Sequence, residues 1–229
     1  SFVSRGLGDV YKRQVLSLGS RLDTRITGGV PRNFAREAII ASVDIDKDEL
    51  NKKRGLKLKI KINECLTDFF NLFEKKSKTL RIQKPDWLQK SLLWKKKYPI
   101  VLQNYRTQNK FVNPYFFMER LSKYLGKDEV VVADDGAHLT WAIQSLKVLK
   151  QQRLFSAFGN SPMGYAFPAA IGASIALNKK KIICIDGDGS IQINIQELQT
   201  LVSNKLPIKI IIINNEGYGI IKQFQELYL

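Results

Sequence analysis

Asp188 and Asn215 each follow an apolar run, and their types and placement suit the binding of a divalent cation. Asp188 sits in Gly187-Asp188-Gly189-Ser190, after KIICI (181–185), and Asn215 comes after IKIIIIN (208–214). The first residue offers a hard carboxylate, the second a neutral amide oxygen. Magnesium takes a few protein oxygens and completes its shell with phosphate oxygens and water. Gly187 and Gly189 let the backbone come close to a ligand. Ser190 and the first amides of a following helix would form an anion site. One carboxylate, one amide and a set of N–H groups aimed at an anion make a suitable holder for a magnesium–diphosphate.

The elements that must position these groups are legible in the hydrophobic pattern. The two runs are continuous and rich in β-branched residues, as strands buried on both faces of a parallel sheet are. Between them, Ile191 to Val202 carries apolar residues at helical spacing, and Asn204, Lys205 and Pro207 stop the helix. The three elements form a βαβ unit. Its parallel strands deliver Asp188 and Asn215 to one carboxyl edge, where open α/β sheets bind ligands.

The rest of the chain divides by the same reasoning. Residues 1–14, SFVSRGLGDVYKRQ, lack an initiating Met and do not fit the strand that follows, so an atypical, artefactual start is expected. Residues 15–78 read as one α/β domain. VLSLGSRLD is a strand and Gly-Ser turn, IIASVDID (39–46) a second strand, LKLKIKI (56–62) an alternating edge strand, and NECLTDFFNLFEKK (63–76) an amphipathic helix. Residues 79–108 form a basic connection with a helix over 87–97 stopped by Pro99. Residues 109–229 read as a second α/β domain. It has a helix opened by Asn113-Pro114, a strand EVVVADDG (129–136), a helix AHLTWAIQSL, and a helix of small residues after Met163-Gly164. The fold class is therefore α/β, two doubly wound parallel-sheet domains of three layers each. Four loops should meet at the second sheet's edge: 134–138, 159–164, 186–190 and 214–220.

GDGS, ELQT, LPIK and NNEGYG, taken in order, resemble the diphosphate-binding motif of thiamine-diphosphate enzymes, and among these the acetolactate synthase branch. The resemblance implies thiamine diphosphate and Mg²⁺ as cofactors. It implies metal ligands at Asp188, Asn215 and the backbone carbonyl of Gly217, with Tyr218, Gly219 and Ile220 lining the thiazolium side. The family's Gly-Gln-His loop is here Gly136-Ala137-His138, which keeps the Gly and His and loses a diphosphate-binding Gln. MGYAFPAAIGA matches the family nearly throughout. Met163 is thereby implied as the wedge that bends the cofactor, the catalytic contribution of this chain. Ser161, where the family has Gly, would offer its carbonyl to the pyrimidine.

The implied reaction is decarboxylation of a 2-oxo acid such as pyruvate and its joining to a second carbonyl. GSRLDTRITG and VDIDKDEL resemble the family's middle domain, which holds FAD in some members, with Asp44 as the adenosine-side contact. Two departures count against FAD: the paired acids after the turn are Asp23 and Thr24, and a later Gly-Asp has no equivalent in KIKINECL. A middle domain without flavin is the reading taken. By the same resemblance, an activating Glu comes from a separate N-terminal domain of a neighbouring subunit. The complete enzyme is then a homodimer or tetramer, and this chain an inactive fragment of it. The alternatives are another thiamine-diphosphate decarboxylase or carboligase, and a non-catalytic cofactor-binding subunit.

Composition narrows the classes further. The 229 residues are 44% hydrophobic, enough to bury a core. No apolar run is long enough for a membrane span. Cys65 and Cys184 stand alone, without a CxxC, which suits a reducing cytoplasm. The net charge of +16 raises nucleic-acid binding. Its lysines are spread through many segments with no Arg-rich stripe, so a solvated basic surface, no nucleic acid and no membrane are expected.

Overall fold

The computed structural model describes residues 14–78 and 85–229. The segment 1–13 and part of the expected connection, 79–84, lie outside the described residues. The chain forms two compact units that divide between Lys90 and Ser91. That point falls inside the helix expected in the connection.

In the first unit, strand β1 (Gln14–Leu18) is followed by a short helix α1 (Thr24–Thr27), strand β2 (Ile39–Asp44), helix α2 (Lys47–Asn51), strand β3 (Leu58–Asn63) and helix α3 (Leu66–Ser77). The strands are parallel in the order β1-β2-β3, pairing Gln14 with Ile39 and Val43 with Ile62. The alternating segment is thus an edge strand among the described residues. A small core of Leu22, Ala35 and Ile40 is extended by Val15, Phe34, Leu56 and Leu58. The Asp46 carboxylate caps α2 by accepting from the Asp48 and Glu49 amides, and Cys65 Sγ caps α3 by accepting from the Asp68 amide.

Helix α4 (Pro85–Lys97) runs across the dividing point, and helices α5 (Gln103–Thr107) and α6 (Pro114–Leu121) follow. Asn113 caps α6, its side chain accepting from the Tyr115 and Phe116 amides, with Pro114 at the first helical position.

The second unit continues with β4 (Val130–Ala133), α7 (Ala137–Ser145), β5 (Arg153–Phe155), α8 (Ala166–Ala176), β6 (Ile182–Gly187), α9 (Glu197–Ser203), β7 (Ile208–Ile213) and α10 (Gly219–Tyr228). Its four strands are all parallel, in the order β5-β4-β6-β7. The strand order reverses direction after β4: β5 lies on one side of it and β6 on the other. This double winding opens a crevice beyond the carboxyl ends of β4 and β6.

The β4 and β6 residues alternate between two cores, as a strand buried on both faces requires. Val130, Val132, Ile182 and Cys184 face α8 through Ala166, Phe167, Ala170 and Ile171. Val131, Ala133, Ile183 and Ile185 face α6 and α7 through Met118, Leu139, Ala142 and Leu146. The sheet therefore has helices on both sides, the three-layer α/β arrangement expected. Cys184 is fully buried, and burial pushes its thiol well up, away from a reactive thiolate.

Two elements differ from the sequence reading. The stretch expected as one helix from Ile191 to Val202 is a 3₁₀ turn over Ser190–Asn194 followed by α9. Gln192 and Asn194 account for the tighter turn, since their side chains bond backbone outside the helix, at the Asp188 and Gly164 carbonyls. The helix opened by Asn113 ends at Leu121, ahead of Gly126.

Candidate active site

Four loops converge at the β4–β6 crevice and line a cavity that is open to solvent on one side. From β4 and the start of α7 come Asp135, Gly136, Ala137, His138 and Trp141. The loop before α8 supplies Met163. From the end of β6 come Gly187, Asp188, Gly189 and Ser190, and from the loop after β7 come Asn215, Gly217, Tyr218, Gly219 and Ile220. Of the residues expected at the site, Ser161 alone does not line this cavity. It turns the loop, with φ +54°, and its hydroxyl donates to the Phe158 carbonyl at 3.0 Å.

Three oxygen-bearing groups meet at one end of the cavity, where the sequence places a cation site. One heavy atom of the Asn215 amide lies 2.9 Å from Asp188 Oδ1 and 2.8 Å from the Gly217 carbonyl oxygen. With no cation present, the NH₂ belongs at that position, where it donates to both oxygens. When the amide turns over, its oxygen takes the same place, and three oxygens then face one another. An octahedral magnesium with bonds of roughly 2.0–2.1 Å holds neighbouring ligand oxygens ~2.9 Å apart. The two separations from the Asn215 amide match those between neighbouring magnesium ligands. The Gly217 amide donates to Asp188 Oδ2 at 2.9 Å, which ties the two loops together whether or not a metal is bound.

The glycines of GDG are needed for room. A Cβ on Gly189 would lie 2.5 Å from the Tyr218 ring, and one on Gly187 would lie 3.2 Å from His138. Tyr218 and His138 thus close over the backbone that faces the cavity. Ser190 differs from expectation in its side chain. Its hydroxyl accepts from the Gly187 amide at 3.2 Å and donates to Asp186 in a short bond, so it is spent inside the protein. Only backbone amides remain to the turn as anion donors.

Below this floor His138, expected at the site, meets two acids that sequence reasoning passed over, Asp134 and Asp186, with ligating atoms of the three within 4.8 Å of one another. Asp134 and Asp186 are fully buried and His138 nearly so. Burial holds His138 below its ordinary range, against the upward pull of Asp134, Asp135 and Asp188 and a backbone hydrogen bond at Asp134. His138 is therefore a neutral ring, and its Nε2 is buried without a partner, as is Asp186 Oδ2. Burial and the nearby Asp134 push Asp186 up to about 6, although Ser190 and the Gly187 amide bond its other oxygen. The signal for these residues was present in the sequence as acids closing strands, in VADDG and CIDGDG. What period and spacing do not show is which acid of each pair turns inward.

The raised Asp186 pKa has a sign that can be checked. The folded chain binds this proton more tightly than the unfolded chain, whose carboxyl titrates at its ordinary value. Stability therefore falls as pH rises through the window from about 4 to about 6, and stays lower above it. Asp186→Asn keeps an acceptor for Ser190 and removes the ionisation. We expect it to stabilise the chain by on the order of 2 kcal/mol at about pH 8, with the gain shrinking toward pH 5. Urea denaturation at the two pH values measures this. An equal effect at both would show that Asp186 does not carry the raised pKa.

The first unit has its own cavity, lined among others by Arg21, Asp44, Glu49, Lys52, Arg54 and Lys61. Asp44 Oδ1 accepts from the Asp46 amide at 2.9 Å. Burial raises Glu49, but the bonds from Lys52 and Arg54 outweigh it and hold this carboxyl below its usual range. Five basic residues against Asp44 and Glu49 leave this lining net positive.

Residues 134–229 match the family described as thiamine pyrophosphate enzyme, C-terminal TPP binding domain. The chain is 36% identical over 216 residues to the acetolactate synthase large subunit of Porphyra purpurea, covering 93% of this chain and 36% of the relative. It is 37% identical over 220 residues to that of Cyanidium caldarium, with the same coverages. The acetolactate synthase of Mycobacterium bovis is 33% identical over 217 residues, covering 93% of this chain and 34% of the relative. The chain thus spans about a third of the length of the curated relatives it matches.

Proposed function

We propose that this chain, a homologue of acetolactate synthase large subunits whose residues 134–229 are a thiamine pyrophosphate enzyme's cofactor-binding domain, is part of a magnesium-dependent carboligase. The enzyme would decarboxylate a 2-oxo acid and join the product to a second carbonyl, as in making acetolactate from pyruvate. The observation that carries this reading is the spacing of Asp188 Oδ1, the Asn215 amide and the Gly217 carbonyl, 2.9 and 2.8 Å apart, in the same cavity as His138 and Met163.

When bound, thiamine diphosphate supplies the carbon nucleophile and the electron sink that decarboxylation needs. Asp188, Asn215 and the Gly217 carbonyl hold the magnesium that neutralises the diphosphate. Backbone amides of the Gly187–Ser190 turn and the neutral His138 ring face the same end. Met163 is a flexible apolar side chain suited to wedge between two rings. Tyr218 and Ile220, each about half exposed, line the other side. The activating Glu is assigned to a partner subunit of a homodimer or tetramer, and this chain by itself is expected to be inactive. The cytoplasm as compartment, the absence of nucleic-acid binding and the absence of membrane binding belong to the same reading. Among the described residues, no helix is long and apolar enough to cross a membrane.

The test has two stages. Titration of the chain with thiamine diphosphate should show binding that is lost on removing magnesium with a chelator. Binding that ignores the metal, or no binding, overturns the reading. The protein assembled with its partner domain is then given pyruvate. Acetolactate and carbon dioxide are expected, whereas an aldehyde alone would place it among the decarboxylases. A cofactor-loaded assembly that turns over no 2-oxo acid would make it a non-catalytic cofactor-binding subunit. The middle unit is read as structural, so the purified protein should show no flavin absorbance in the visible. A yellow protein that releases FAD on denaturation would reverse that.

A further inference from the structure

Asp134, below the cavity floor, bonds both strand β6 and the loop before α8. Its backbone amide still belongs to the β4–β6 ladder, donating to the Ile185 carbonyl at 2.9 Å. Its carboxylate is fully buried. Oδ2 accepts from the Gly164 amide at 2.8 Å and Oδ1 from the Ala166 amide at 2.6 Å. These N–H groups flank the start of α8, so the carboxylate caps that helix from a strand thirty residues away in sequence. A buried charge accepting from two amides makes strong bonds and meets the positive end of the helix.

Gly164 is held from its other side as well. Its carbonyl accepts from Asn194 Nδ2 at 2.7 Å. Its φ is +82°, and a Cβ there would lie 2.9 Å from Ile193. Met163 immediately precedes this clamped residue. At its backbone, Asp134 also engages the His138 ring.

We infer that Asp134 is a positioning residue: it sets the place of Met163 relative to the Asp188–Asn215 end of the cavity by pinning the loop 159–164 to the end of β4. The inference rests on the cofactor reading for its purpose, while the pinning stands on the geometry alone. Asp134→Asn is the informative change. It keeps one acceptor and turns a donor toward an amide that is itself a donor, so one bond is lost and the loop is released.

Two measurements test this. The first needs no cofactor. Hydrogen exchange of the Gly164 and Ala166 amides should be slow in the wild type, despite their loop position. It should speed up roughly tenfold or more in Asp134→Asn, with the β4 and β6 amides unchanged. Fast exchange in the wild type overturns the pinning even if the variant fails to fold. The second compares magnesium-dependent binding of inorganic pyrophosphate and of thiamine diphosphate. Pyrophosphate affinity should stay within roughly twofold of wild type, and thiamine diphosphate affinity should fall roughly fivefold or more, because the released loop faces the rings only. Equal losses for both ligands, or none, overturn the positioning role. A wild type that binds neither ligand defeats the cofactor reading and the purpose assigned to Asp134. The exchange result still decides whether Asp134 pins the loop.

Discussion

Asp188→Ala is expected to weaken magnesium-dependent thiamine diphosphate binding by on the order of 100-fold or more, since loss of a metal's outer-shell partner alone costs 10- to 100-fold. Both oxygens of this carboxylate are committed. Oδ1 faces the Asn215 amide, and Oδ2 accepts from the Gly217 amide. Alanine therefore removes the single formal negative charge of the cation trio and unties the loop that carries the other two ligands. Because Asp188 is only half-buried and outside both hydrophobic clusters of its unit, thermal unfolding without ligand should change little. Calorimetric titration at saturating magnesium measures the effect. Wild-type affinity in Asp188→Ala would show that the cation is held elsewhere.

Phe167→Ala should be the most damaging single change to the fold, costing about 3–5 kcal/mol. Phe167 is fully buried and heads the core between α8 and the sheet, against Val130, Val132, Ile182 and Cys184. The helix around it is built from small residues, Ala166, Ala169, Ala170 and Ala173. None of these has a side chain long enough to fill the cavity left behind, so little relaxation is available and the cost falls at the upper end of such changes. A domain of this size is stable by roughly 5–15 kcal/mol, so the variant keeps a thin margin. Urea denaturation read by tryptophan fluorescence gives the difference. A loss below about 1 kcal/mol would mean that α8 repacks onto the sheet.

How much of this was legible beforehand depends on the range over which each signal acts. The runs around Ile182 and Ile208 are continuous and β-branched, a local pattern that a buried parallel strand imposes on its own residues. Parallel pairing across a short crossover then follows from chain geometry, and it brings Asp188 and Asn215 to one edge. That is why the meeting of Asp188 and Asn215 could be read from the pattern, whereas Gly217 entered only through the resemblance. Strand β5, Arg153–Phe155, was not foreseen, because three residues carry too little pattern to register. Helix α10 carries no start signal of its own, since Tyr218 opens it without a side-chain cap.

The sequence by itself determined which residues stand at strand ends, because alternation, helix stops and turn residues act over a few positions. Only the tertiary structure decided which of them face the ligand. The order β5-β4-β6-β7 sets β4 beside β6 and so places the crevice between Asp134 and Gly187. It also brings Asp134 to amides that lie thirty and more residues later. Such contacts exist because a buried carboxylate must find donors wherever packing offers them, and the distance along the chain to those donors leaves no mark in local spacing.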